Sequence, residues 1–163
     1  MLTIIVLIVC YFAFLYFRNY IIVNRPLYNK TKESTVIKKE VASKTLDPKI
    51  EGELLSALEK FEKNKKYLEK DLTVGKLASL LGTNTKYVAW MIAQHRNKRT
   101  IDYIIDLKTS YVLELLEKNK NYRNYTTQAL ADEAGFGSAK SFLRAFRQKT
   151  AMSPAEFVAQ LIV

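Results

Sequence analysis

Cysteine and histidine are almost missing from this chain, with one of each, Cys10 and His95, in 163 residues. A lone cysteine cannot close an intrachain disulfide, and one Cys with one His cannot make a four-ligand structural zinc site, so a reducing compartment is the natural reading. The same scarcity weighs against an enzyme. Cys10 lies in an apolar run and His95 in a basic one, so no nucleophile sits with a base in a Cys/His or Ser/His/Asp arrangement, and no glycine-rich phosphate loop is present. Neither a cofactor nor a metal is expected. Five glycines and three prolines are few, which favours helix over sheet. Acid is also short: 16 Asp plus Glu against 26 Lys plus Arg give a net charge of +10 and point to a polyanionic partner, nucleic acid or anionic lipid. What is plentiful is apolar surface, 48% of the chain, enough for a packed core and unlike a disordered tail. The length allows one ordinary domain, or a small one with an accessory segment.

Charge is absent from Leu2 to Phe17, and after Arg18 and Asn19 the apolar character resumes through Val23. Twenty-two helical residues at 1.5 Å each reach roughly 33 Å, the thickness of a bilayer core. Arg18 would snorkel toward the headgroups, and Tyr11, Tyr16 and Tyr20 suit an interfacial aromatic belt. A secretory signal peptide is the competing reading. Against it, no Lys or Arg precedes the run, the run is long for such a peptide, and no small-x-small cleavage site follows Phe17. Residues 1–23 are therefore expected to be a single-pass transmembrane anchor. Arg18, Arg25, Lys30, Lys32, Lys38, Lys39 and Lys44 all follow the span, so the body of the protein is expected on the cytoplasmic side of the inner membrane. Residues 24–46 carry six basic and two acidic residues with little apolar periodicity, and read as a basic juxtamembrane linker.

Residues 47–163 read as short helices between polar breaks. Asp47 and Pro48 make a cap and first turn ahead of Ile50, Leu54, Leu55, Leu58 and Phe61, a helix expected to end near Lys65. Its Leu54, Leu58, Phe61 stripe is either core or a protein contact face. Thr73 can cap a second helix stopped by Gly82, and Asn84 or Thr85 a third running to about Gln94. After the basic break His95 to Arg99, Thr100 to Lys118 is the longest helical pattern. Thr126 or Thr127, Ser138, and Ser153 with Pro154 open three more.

An internal repeat organises this half. Thr73 to Gly82 (TVGKLASLLG) and Thr126 to Gly135 (TTQALADEAG) both place Leu-Ala at the fifth and sixth positions and Gly at the tenth. The following helices carry Val88 and Ile92 in one copy and Phe142 and Phe146 in the other, and Ile92 to Tyr103 and Phe146 to Phe157 are each eleven residues. A short helix, a glycine turn and a second helix is the spacing of a helix-turn-helix, although a generic helical hairpin would share it. Charge favours DNA. From Phe136 to Lys149 there are Lys140, Arg144, Arg147 and Lys149 and no acid, and the first three share a face opposite Phe142 and Phe146.

The carboxy half resembles the two helix-turn-helix DNA-binding domain of AraC/XylS-type transcription regulators over about residues 70 to 160. The second copy carries the more specific signature: ALADEAGFGSAKSFLRAFRQKTAMSPAEF, residues 129 to 157, matches an A-x-x-x-G-F turn, a Ser cap, an S-F-x-R-x-F recognition helix and a closing Pro-x-x-[FY]. The resemblance implies an all-α fold: two helix-turn-helix units, residues 73–95 and 126–149, joined by a linker helix, residues 100–118. It also implies recognition helices that enter successive major-groove segments of double-stranded DNA, and contact with or blocking of RNA polymerase. Carried over by position, the second unit would present Ala139, Lys140, Leu143 and Arg144. Arg144 would then be the bidentate donor to guanine, and Lys140, Arg147 and Lys149 would hold phosphates. The first unit would present Lys86, Ala89, Trp90 and Gln94, followed by His95, Arg96, Lys98 and Arg99. It departs from the pattern, with Trp90 where a polar or basic residue is common and Asn97 where a Gly is usual; in the second unit Ala151 replaces a frequent Gly. His95 would make a phosphate-side contact or face solvent.

Such regulators usually carry a sensor that binds ligand or dimerises. Only Met1 precedes the span here, which leaves three readings: a partner supplies the signal, the chain is the carboxy-terminal part of a longer one, or the anchor itself is regulated. The expected function is a membrane-tethered, sequence-specific transcription regulator. The rival is a membrane-bound helical adaptor whose basic face holds anionic lipid or another protein.

Overall fold

The computed structural model of the protein describes residues 47–161; the expected anchor, residues 1–23, and linker, residues 24–46, lie outside the described residues. Every regular element among the described residues is helical, and none of these helices is long and apolar enough to cross a membrane. In chain order they are α1 (Pro48–Lys63), a 3-10 turn (Lys66–Leu68), α2 (Val74–Leu80), α3 (Thr85–Arg96), α4 (Thr100–Lys118), a second 3-10 turn (Lys120–Asn124), α5 (Thr127–Glu133), α6 (Ala139–Thr150) and α7 (Pro154–Gln160).

Local chemistry sets most of these boundaries. Asp47, Thr73, Asn84, Thr126, Ser138 and Ser153 each accept a first-turn backbone N–H in the side chain, satisfying a donor the helix cannot satisfy internally. At Ser153 the Glu156 carboxylate reaches back to the cap N–H and completes a capping box. Gly82 and Gly135 leave α2 and α5 in the left-handed region, at φ 65° and 64°. α3 and α6 end on left-handed residues that are not glycine, Asn97 at φ 51° and Ala151 at φ 62°. Two ends differ from the expected ones. α1 stops at Lys63 because Lys65 turns left-handed, at φ 52°. α3 runs on to Arg96 because α1 holds its last two side chains, as described below.

The core forms in two clusters strung along α4. Leu58 and Phe61 of α1, Tyr67, Leu77 and Ala78 of α2, Leu81, Val88 and Ile92 of α3 and Tyr103 and Ile104 of α4 make the first. Val112 and Leu116 of α4, Leu130 and Ala131 of α5, Ala134, Phe136, and Phe142, Ala145 and Phe146 of α6 make the second. Nineteen residues give α4 a length of roughly 28 Å, enough to serve both. Leu54, Leu58 and Phe61 are all buried, so the apolar stripe of α1 is core. In the second cluster Phe136, Phe142, Phe146 and Phe157 form a run of tilted and edge-on rings with centroids 5.4, 5.6 and 5.7 Å apart, each pair worth roughly 0.5–1.5 kcal/mol beyond area burial.

Where the clusters meet, the buried Lys108 of α4 donates its ammonium to the Glu69 carbonyl at 3.0 Å and to the Gly135 carbonyl. Desolvation pulls its pKa below the usual lysine value, against the opposing charges of Asp71 and Glu69.

Candidate nucleic-acid interface

The two copies of the repeat match in register from the capping residue of the second helix onward. Asn84 and Ser138 are the caps, Arg96 and Thr150 the last helical residues, Asn97 and Ala151 the left-handed residues. The second copy has one residue more in its turn, Gly135-Phe136-Gly137 against Gly82-Thr83. By this register Lys86 matches Lys140, Ala89 matches Leu143, Trp90 matches Arg144, Ala93 matches Arg147 and His95 matches Lys149.

In α6 the buried Phe142, Ala145 and Phe146 fix the inward face. At 100° per residue, Lys140, Arg144 and Arg147 must lie opposite, and all three are exposed. Leu143 and Ala139, one turn apart, are half-buried on the same flank. Among the described residues no acid forms an ion pair with Lys140 or Arg144, while the field of Arg147 reaches Glu156. Lys149 falls on the inward side. Its ammonium sits between the Asp106 carboxylate and the Ser110 hydroxyl of α4, where Asp106 also takes Lys98. Partial burial alone would raise the Asp106 pKa, but the hydrogen bonds from Lys149 and Lys98 outweigh it and hold the carboxyl below its usual range.

In α3 the buried Val88, Met91 and Ile92 fix the inward face. Lys86 and Gln94 are exposed, and Ala89, Trp90 and Ala93 are half-buried on the outer surface. The Trp90 ring meets the His95 ring edge-on at 6.4 Å. The basic end of the helix is drawn onto α1. His95 Nε2 is 2.8 Å from Glu51 Oε1, a partner neither of the expected phosphate-side or solvent positions for His95 provides. Arg96 makes a forked contact to both oxygens of Glu62, at 2.9 and 3.3 Å, and the Tyr103 hydroxyl donates to the same carboxylate. Burial works against the Glu62 charge, but the hydrogen bonds from Arg96 and Tyr103 overcome it and lower its pKa. Burial, then that carboxylate, pushes the Tyr103 phenol well above its usual range. Arg99 pairs with Asp102 across the first turn of α4.

The thirteen candidate DNA contacts thus divide. Lys140, Leu143, Arg144 and Arg147, and Lys86, Ala89, Trp90 and Gln94, are presented outward on two helices, with Ala139 at the edge. Arg96, Lys98, Arg99 and Lys149 have their charged ends on acids of the protein itself. Sequence reasoning passed over Glu51, Glu62 and Asp106, whose carboxylates hold the ends of the two helices, and Lys108, and it named Tyr103 only for its place in the repeat. The one visible signal is the placement of charge and hydroxyl on α4 between apolar positions.

No protein-family model matches the chain, and no curated protein matches it in sequence. Solved structures do match. The chain is similar to the C-terminal domain of AraT, a response regulator from Geobacillus stearothermophilus, at 20% identity and a TM-score of 0.56, with 72% of this chain and 88% of that one covered. It is similar to the DNA-binding domain of AdpA, a global transcriptional factor solved in complex with a target DNA, at 19% identity and a TM-score of 0.56, covering 66% of this chain and 90% of that one. An AraC-type transcriptional regulator from Chromobacterium violaceum gives 20% identity, a TM-score of 0.55, and coverage of 68% and 92%. The described residues therefore have the all-helical fold of AraC-type DNA-binding domains, with two helix-turn-helix units on one linking helix.

Proposed function

We propose that the protein is a sequence-specific transcription regulator of the AraC/XylS type, tethered to the inner membrane through residues 2–23 with residues 47–163 in the cytoplasm. The observation that carries the DNA-binding part is α6: an acid-free helix, packed through three buried side chains, that turns Lys140, Arg144 and Arg147 outward. Arg144, opposite the core face, is the donor to a guanine edge. Lys140 and Arg147 hold phosphates, and Ala139 and Leu143 line the groove. Lys86, Ala89, Trp90 and Gln94 form the surface of the first unit. Arg96, Lys98, Arg99 and Lys149 act as positioning residues, since each already answers an acid. The apolar run ahead of a basic linker supports the tether. Bound at a promoter, such a protein contacts RNA polymerase or blocks it, alone or as a homodimer.

The test selects the full chain, held in mild detergent, against random duplexes and measures affinity for the winner and for scrambled DNA at two salt concentrations. A site about two helical turns long, bound roughly 10³-fold tighter than scrambled DNA and with a steep salt slope, is expected. Arg144→Ala should cost about 1–3 kcal/mol on that site and relax one base position. Equal, salt-sensitive binding to every duplex would sink the reading, and binding to anionic vesicles would then favour the adaptor. For the tether, the chain should stay with the membrane fraction through an alkaline carbonate wash; release by the wash counts against it.

A further inference from the structure

The two recognition surfaces are unlike in chemistry although they are copies of one motif. Position for position, the outward face of α6 reads Lys140, Leu143, Arg144, Arg147, and that of α3 reads Lys86, Ala89, Trp90, Ala93. Both begin with a lysine. After it the second helix carries two guanidinium groups, and the first an indole and two methyl groups. The fold enforces the difference. The two cationic side chains that end α3 are not available to restore hydrogen-bond readout, because Glu51 holds His95 and Glu62 holds Arg96 in a fork that Tyr103 completes. Arg96 itself is mostly covered, with 28% of its side chain exposed. α3 also has no acid, so nothing on it repels a phosphate backbone.

Past Lys86, the outward groups of α3 that can pair with a base edge are the Gln94 amide, one turn beyond Trp90, and the indole N–H of Trp90, so the middle of the helix faces a groove with apolar surface. The one apolar group the major groove displays is the thymine C5 methyl. We infer that α3 reads thymine methyls through Ala89, Trp90 and Ala93, so that the operator is asymmetric, with thymine contacts under α3 and a guanine under α6. Lys86 anchors the start of the helix to a phosphate. The clamp on His95 and Arg96 sets the depth and angle at which the apolar stripe enters. The inference rests on the DNA-binding reading above and goes further by assigning each half-site its base chemistry.

Replacing thymine by deoxyuridine removes the methyl and leaves every hydrogen-bonding group in place. On the selected site, uracil for thymine in one half should weaken binding of the full chain about threefold or more per contacted methyl. Trp90→Ala should erase that sensitivity. Because Trp90 is half-buried and its loss can disturb folding, a second variant acts in the gain direction. Arg144→Trp, which gives the exposed position of α6 the side chain that α3 carries at the matching place, should replace the guanine preference there by a thymine preference that uracil weakens when the selection is repeated. The other half-site should ignore uracil and respond to Arg144→Ala. A specific site bound equally well with and without the methyls overturns the inference and leaves the regulator reading standing. That result joined to loss of self-association in Trp90→Ala would assign the face to a second copy of the chain. Absence of any preferred site overturns both readings.

Discussion

Gly82 and Gly135 hold the same place in the two copies at nearly the same φ, yet a methyl group would meet different surroundings. A Cβ on Gly82 finds open space, so Gly82→Ala carries only the left-handed penalty, about 1–2 kcal/mol. A Cβ on Gly135 would lie 1.8 Å from the Leu68 carbonyl oxygen and 2.7 Å from its carbon, backbone atoms that cannot swing aside. Gly135→Ala must move the 66–72 segment off the second unit, and the expected loss is about 3 kcal/mol or more once overpacking is added. Urea unfolding of the two variants checks this, and equal losses would mean that the segment yields easily. Ala151 presents the opposite case, a residue with a Cβ held at φ 62° where glycine would be unstrained. Relief of left-handed strain exceeds the entropy that glycine returns to the unfolded chain. Ala151→Gly is therefore expected to stabilise by about 0.5 kcal/mol, read as a small rise in the urea midpoint; a fall would show the strain already relaxed.

Helix α1 belongs to the same helical body as α3 and α4, since its acids reach over to both. Both Glu62 and Asp106 have folded-state pKa values below their unfolded ones. Their contribution is thus present above the ordinary carboxylate range and lost as pH falls through the lowered values. Stability should hold between about pH 7 and 5 and decline below about pH 4, with α1 and the α4–α6 contact loosening together. Glu62→Gln and Asp106→Asn should each flatten part of that slope in urea midpoints taken across the range. Acid profiles parallel to that of the parent chain would assign the slope to other groups. These pairs also mark what the sequence conceals. Caps such as Thr73, Ser138 and Ser153 act within three residues, and burial repeats within one helical turn, so helices and their inward faces can be read from the string of residues. Lys140 and Arg144 are placed outward by that argument, from Phe142 and Phe146 alone. Glu62 and Arg96 are 34 residues apart, Glu51 and His95 44, and Asp106 and Lys149 43. No local pattern announces such partners. His95, Arg96, Lys98 and Lys149 therefore read as free basic residues until the fold brings acids to them.

At the scale of the whole described body, two small cores, each too small to be robust alone, share one helix and one lock. Lys108 ties a carbonyl of the 66–72 segment, which packs Tyr67 into the first core, to the Gly135 carbonyl beside the second, and the exposed Lys70–Asp132 pair, at 3.3 Å, lies across the same boundary. The exposed pair contributes little by itself, whereas the buried ammonium satisfies two acceptors, one of them on a buried glycine. Lys108→Met keeps much of the volume and removes the donor, leaving the Gly135 carbonyl unpaired at a cost of about 1–3 kcal/mol, partly offset by the desolvation the charge no longer suffers. The more telling effect concerns cooperativity. With the lock in place the two cores should unfold in one transition, the calorimetric and van't Hoff enthalpies agreeing. With Lys108→Met the van't Hoff value should fall below the calorimetric one as the units begin to melt apart. Under the DNA-binding reading proposed above, the consequence for binding would follow from tethering: two helices held at fixed separation would engage successive groove segments as one ligand, and slack between them would dilute the second contact. Lys108→Met should therefore weaken binding to a complete two-part site more than to either half alone, although the residue touches no DNA. A variant that melts earlier but still in one transition, with full-site and half-site affinities reduced in proportion, would make Lys108 a local prop of the glycine turn and leave the spacing of the helices to α4 alone.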